Sequence, residues 1–202
     1  MLTLGWSDGH SFIPVDFALL SSIKSQLNGM VAKIDKRTSG YKRRVESLLP
    51  APTLVPDMVD RALPAGIRAL YVLKDSWFTH APLIRAIKQK GLDVIGMVKA
   101  DNKRYHGGEN RLSLNELYFA ATRVQEKNKN IIRSIRTQLS PGIPVHIVFV
   151  RHRTNKKDWV AILLTDLILT VEEIIRSIAF VGIKYRYRHF VPYADIPVMP
   201  TF

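Results

Sequence analysis

Tyr71-Val72-Leu73-Lys74-Asp75-Ser76-Trp77-Phe78 is an apolar run that stops abruptly at a carboxylate and passes into a short polar and aromatic loop. A helical pattern begins near Ala81. Leu83, Ile84 and Ile87 share one face, and Gly91 is the stop. Leu92 to Val98 is a second continuous apolar run, the composition of a strand buried on both faces, as in parallel sheets. Strand, helix and strand in this order predict a βαβ unit, with strands over 67–73 and 92–98 and a helix over 81–90. Asp75 then falls at the C-terminal tip of the first strand, where open α/β sheets commonly hold their chemistry.

On the N-terminal side, Met1 to Trp6 reads as a strand, Ser7-Asp8-Gly9-His10 as a turn, and Phe12 to Leu20 as the returning strand of a hairpin. Pro14 predicts that the second strand lies at a sheet edge or is bulged there. From Lys24 to Arg44, seven Lys and Arg face the single acid Asp35, which reads as an exposed loop leading into a short helix around Tyr41 to Leu48. Pro56 to Leu63 reads as another short helix, stopped by Pro64 and Gly66.

On the C-terminal side, the segment from Asp101 to Lys157 changes character. Twelve Lys and Arg between Lys103 and Lys157 face only Glu109, Glu116 and Glu126. The segment carries a helix pattern over 112–123 and strand patterns over 131–139 and 145–151, and it reads as a basic, β-rich insertion. Trp159 to Thr165 returns to a core strand. Thr170-Val171-Glu172-Glu173 is a capping box that opens a helix, with Ile174, Ile175 and Ile178 on its apolar face. Beyond Ala179 the periodicity is lost, and Pro192, Pro197 and Pro200 forbid a sustained helix.

The whole chain has 202 residues, 47% of them hydrophobic, enough for a real core. Its 30 Lys and Arg against 17 Asp and Glu leave +13, a surplus that favours a polyanionic partner, nucleic acid before an acidic membrane face. With no Cys, disulfides and thiolate metal sites are excluded. The first residues lack the order of a signal peptide, and the longest apolar run, Trp159 to Leu164, is far too short for a membrane span. The expectation is a cytoplasmic, nucleoid-associated protein without a membrane partner. The six His show no paired ligand spacing, and there is no phosphate-cradling glycine loop and no Gly-x-Ser-x-Gly elbow.

Asp75 alone does little. Phosphodiester chemistry on such a sheet uses hard divalent cations clamped by several carboxylates. Each other acid has a local explanation. Asp8 precedes Gly in a turn. Asp16 lies mid-strand and is read as facing solvent. Asp166 follows a strand, and Glu172 and Glu173 complement a helix dipole. For Trp77 and Phe78, burial beside the strand end is the plain reading and stacking on a splayed DNA base the functional one.

Three pieces in order carry a family resemblance. They are Leu4-Gly5-Trp6-Ser7-Asp8-Gly9-His10-Ser11-Phe12-Ile13-Pro14-Val15, then Tyr71 to Phe78, then Asp158 to Asp166 with Glu172-Glu173-Ile174-Ile175-Arg176. Together they resemble bacterial insertion-sequence transposases of the DDE type, in the branch with a Tyr-Arg-Glu-Lys signature around the catalytic Glu. The resemblance spans roughly residues 1–176.

It implies an α/β fold, a partial RNase H-like domain with a basic β-rich insertion. The RNase H-like core would occupy 1–100, the insertion 101–157, and a return strand with the start of a final helix 158–178. It implies Asp75 as the second catalytic Asp and a ligand of Mg²⁺ or Mn²⁺. It implies DNA, the transposon ends, as partner, contacted by Lys99, Lys103, Arg104, Arg133, Arg136, Arg151, Arg153, Lys156 and Lys157.

Two departures qualify what is carried over. The family's first catalytic Asp lies on a strand that would precede Met1, and its Glu should fall near position 185, where Tyr185 stands. Residues 179–202 read as a frameshifted, non-family tail. The expectation is a transposase fragment, truncated at both ends and inactive alone, with the metal not bound productively. The alternatives are a non-catalytic DNA-binding or regulatory fragment acting on an intact transposase, and an unrelated α/β metal-dependent nuclease using Asp8, Asp75 and Asp166.

Overall fold

The structure is a computed structural model. It describes residues 1–8, 11–22, 24, 33–107, 110–123, 131–139, 142–152, 155, 158–170, 173–174 and 191–193. The hairpin forms as expected. Strand β1 (Leu2–Ser7) pairs antiparallel with β2 (Phe12–Ala18), and β2 is the edge of the sheet. The register shifts where Leu4 faces Asp16 and Gly5 faces Pro14, so Val15 is the extra residue of a bulge. Pro14 thus sits at both an edge and a bulge, the two places a residue without an N–H is tolerated.

Helix α1 (Ser39–Glu46) is capped by Thr38, whose hydroxyl accepts the Tyr41 N–H. Helix α2 (Ala51–Ala62) starts five residues before the expected Pro56. Pro50 and Pro52 fall at its N-terminus, where N–H groups need no partner, so they start the helix instead of blocking it. Pro56 costs one internal hydrogen bond. Burial of Leu54, Val55, Met58, Val59 and Ala62 outweighs that loss.

The βαβ unit is present. Strands β3 (Tyr71–Lys74) and β4 (Asp93–Val98) run parallel, with Tyr71 opposite Asp93 and Lys74 opposite Gly96. Helix α3 (Ala81–Lys88) crosses between them and buries Leu83, Ile84 and Ile87. β3 is shorter than the apolar run because residues 67–70 serve other contacts. The Arg68 carbonyl accepts the Trp6 indole N–H at 2.8 Å, and the Leu70 carbonyl accepts the Asp93 N–H at 2.9 Å.

Next come β5 (Tyr105–Gly107), β6 (Asn110–Leu112), α4 (Leu114–Ala120) and β7 (Thr122–Arg123). The helix expected over 112–123 is confined to α4 by a capping box between Ser113 and Glu116. Strands β8 (Ile131–Leu139), β9 (Ile143–Arg151) and β10 (Trp159–Leu164) are antiparallel neighbours. Because β10 also pairs with β4, the basic segment's long strands continue the main sheet. The final strand, β11 (Val191–Tyr193), lies between β1 and β3. It is parallel to β1, with Ser7 opposite Tyr193, and antiparallel to β3. The strand order is β2-β1-β11-β3-β4-β10-β9-β8-β5-β6, giving a mixed α/β sheet.

Side-chain alternation splits the core in two. Leu2, Leu4, Val72, Val94, Leu163, Ile147 and Phe149 point to the face covered by α2, α3 and α4. Tyr71, Leu73, Ile95, Ile162, Leu164 and Val148 point to the other, where Ile174 packs.

Candidate active site at the C-terminal ends of β3 and β4

Asp75 is the first residue beyond β3 and is exposed. Its Oδ1 accepts the Trp77 N–H at 2.9 Å, and its carbonyl accepts the Thr79 hydroxyl at 2.8 Å. Thr79 is buried, and its side chain occupies the space over Gly96. A Cβ there would meet Thr79 Oγ1 at 2.5 Å and Lys74 Cγ at 3.3 Å. The lack of a side chain at Gly96 therefore lets the loop close down onto β4 and present the Asp75 carboxylate outward. Of the two aromatics, Phe78 packs on the core as expected, whereas Trp77 is 74% exposed. The correction has a simple cause: the turn hydrogen bond at Asp75 directs the Trp77 backbone outward.

The sheet register separates the other acids from Asp75. Asp166 accepts the Tyr71 hydroxyl at 2.7 Å, and Tyr71 opens β3. Ser7 faces Tyr193, and Tyr193 faces Tyr71, so Asp8 lies at that same end. Asp75 is four residues further along, about 13 Å at the usual strand rise. Asp8 holds a turn through Ser11 N–H at 2.6 Å, and Asp166 holds one through Ile168 N–H at 2.8 Å. The carboxylates of Asp8, Asp75 and Asp166 therefore do not converge. Asp101 and Asp158, nearer the Asp75 end, are engaged by Lys103 at 2.5 Å and by Asn155 at 2.8 Å. Among the described residues, no three or more acids and histidines are grouped to hold a metal ion. The described residues do not complete a two-metal site.

Two further acids are explained structurally. Asp16, expected at solvent, is buried. Arg43 at 3.0 Å and Arg61 at 2.7 Å grip its carboxylate and tie β2 to α1 and α2. Burial opposes its ionisation, but these two guanidinium groups prevail and hold its pKa below the usual value. Glu173 closes the capping box with Thr170 N–H at 2.8 Å. Glu172 lies outside the described residues.

The basic residues divide by role. Lys99 and Arg151 flank the Asp75 end, following β4 and closing β9, and both are exposed. Arg104 is exposed too, while Lys103 is half-buried and paired with Asp101. Arg133 caps α4, donating to the carbonyls of Tyr118, Phe119 and Ala121 at 3.0–3.2 Å, and lies 4.9 Å over the Tyr118 ring. Arg136 donates to the Leu167 carbonyl at 3.1 Å. Arg133 is thus engaged by three internal carbonyls, whereas Arg136 stays exposed with one such bond. Arg153, Lys156 and Lys157 lie outside the described residues.

One charged group escaped the sequence reading although it stands in the opening stretch. Lys74 ends β3 on the face of Val72 and is 3% exposed, and its Nζ has no hydrogen-bond partner among the described residues. Burial lowers its pKa to about 7. His80 beside it is held below its usual value by burial and by the charges of Lys74 and Lys103. The available signal was a lysine at the last position of an otherwise apolar strand.

A mixed sheet with an acid at the tip of a parallel strand is compatible with an α/β nuclease-like domain. Residues 1–115, more than half of the chain, match the family described as DDE superfamily endonuclease, and the chain belongs to that family. Its substrate class is DNA, and its members typically use divalent metals. No curated protein and no solved structure matches the chain.

Proposed function

We propose that this chain is part of an insertion-sequence transposase whose intact relatives cleave and rejoin DNA with divalent metals, and that alone it binds DNA without cutting it. The observation that carries this reading is Asp75. In a chain of the DDE superfamily endonucleases, it stands at a strand tip, and among the described residues it belongs to no group of three or more acids and histidines. Asp75 would be the chain's contribution to the metal site, which supplies a polarised phosphate and an activated attacking oxygen when complete. Further carboxylates would have to join Asp75 to complete such a site. The RNase H-like assignment is supported by the parallel β3–β4 pair and by the antiparallel hairpin on the same sheet.

The basic charge supports phosphate contact through Lys99, Lys103, Arg104 and Arg151, with Arg153, Lys156 and Lys157 as further candidates. A regulatory role against an intact transposase follows if such a fragment competes for transposon ends. Cytoplasmic residence belongs to the same reading.

The test is a Mg²⁺- and Mn²⁺-dependent cleavage and strand-transfer assay beside a duplex-DNA band shift. The expected result is salt-sensitive binding with no strand cleavage. Robust cleavage that Asp75→Ala abolishes would overturn the inactive-fragment reading. Binding indifferent to salt would remove the phosphate-contact reading.

A further inference from the structure

We propose that Trp77 is a stacking platform for an unpaired base of DNA held beside Asp75. The proposal rests on the DNA-processing reading of the site and names the part of the DNA that this loop takes. Trp77 is 74% exposed, whereas Phe78 next to it packs on the core. A single exposed apolar side chain needs no explanation by itself. This one stands on a turn tied down on both sides. Asp75 Oδ1 accepts the Trp77 N–H at 2.9 Å, and the Asp75 carbonyl accepts both the Phe78 N–H at 3.2 Å and the Thr79 hydroxyl at 2.8 Å. The Ser76 carbonyl accepts the Thr79 N–H at 3.4 Å. The indole is therefore presented to solvent on a backbone with little freedom left to lose, and a pre-organised ring binds at low entropic cost.

The surroundings select the ligand. Lys74 lies opposite Gly96, and Trp77 and Lys99 each follow three residues later, so both stand beyond the same end of the sheet. Arg151 closes β9 at that end, opposite Trp159 of β10. Lys99 and Arg151 are exposed, and their charge draws a phosphate backbone to this end. The Asp75 carboxylate, exposed two residues before Trp77, repels a phosphate at its own side. The group suited to the indole is thus a flat, uncharged one. Every base has a π face to offer, but within a duplex both faces are covered by neighbouring bases. An unpaired, splayed base leaves a face for the indole, and stacking there fixes the strand whose phosphate comes to Asp75.

The probes are a blunt duplex and the same duplex carrying a short oligothymidine overhang, tested on the full chain, on Trp77→Ala and on Trp77→Phe. The side chain is exposed, so both variants should keep the wild-type Tm. Trp6 is tied to the Arg68 carbonyl and Trp159 is stacked on Tyr118, so fluorescence quenching that vanishes in Trp77→Phe reports on Trp77. The wild type should bind the overhang duplex more tightly than the blunt one, with quenching. Trp77→Ala should weaken overhang binding about five- to a hundredfold, and Trp77→Phe should keep part of it. Blunt-duplex binding should hardly change, and the log–log salt slope should stay the same, since no charge is removed. Overhang binding unchanged in Trp77→Ala, or equal losses on both duplexes, overturns the proposal. A blue shift of Trp77 emission that depends on protein concentration without DNA also overturns it, by assigning the indole to a contact between copies. A wild type that binds neither duplex fails the DNA reading and the proposal together. A wild type that binds both duplexes alike, whatever stands at position 77, fails the proposal alone.

Discussion

Lys74 is the residue whose chemistry is least at rest. Its unfolded pKa lies near 10.4, and burial brings it to about 7 in the folded chain. Between those values the unfolded state holds the extra proton, so the stability of the fold should rise with pH from about 7 to about 10. Urea melts at several pH values check this, and Lys74→Met should flatten the rise. Asp16 has the opposite sign. Its lowered pKa means that the Arg43–Asp16–Arg61 contact supports the fold above about pH 4 and is lost as pH falls through the folded value. Asp16→Asn should cost about 2 kcal/mol at pH 7, because it leaves two half-exposed guanidinium groups without their shared carboxylate.

At the scale of elements, the turn between β3 and α3 depends on Gly96 and Thr79 together. Gly96→Ala should destabilise by about 1–3 kcal/mol, because its methyl group meets a buried hydroxyl that is already committed to the Asp75 carbonyl. Thermal melts of Gly96→Ala alone and with Thr79→Ala check this: the double variant, with the hydroxyl gone, should recover part of the loss. Helix α4 offers a milder case. Ser113→Ala removes its capping box and should cost about 1 kcal/mol by the same measurement. The helices also show where local signals ran out. The cap at Ser113 was readable from Ser-x-x-Glu but was passed over. The start of α2 at Ala51 was hidden, because three prolines look like a barrier until their positions in the first turns are known.

At the scale of the molecule, the hairpin edge carries exposed apolar residues. Ile13 and Phe17 on β2 and Leu19 just beyond it are each more than half exposed, and among the described residues β2 has no neighbour on one side. Ile13→Lys with Leu19→Lys should raise soluble yield and reduce concentration-dependent light scattering without changing duplex affinity more than added surface charge does.

The parallel βαβ unit was legible because two unbroken apolar runs around an amphipathic helix admit few other arrangements. The hairpin and its irregularity at Pro14 were legible because proline forbids a ladder hydrogen bond. The basic surplus was legible too, since charge needs only counting. Which charges stay free was decided by tertiary structure. Arg133 and Arg136 look like the other basic residues in sequence, yet long-range packing brings carbonyl acceptors to each. Which acids meet was decided in the same way. Asp8, Asp75 and Asp166 all stand at strand ends, but only the pairing register, set by contacts across more than ninety residues, assigns Asp75 to one end of the sheet and the other two to the opposite end.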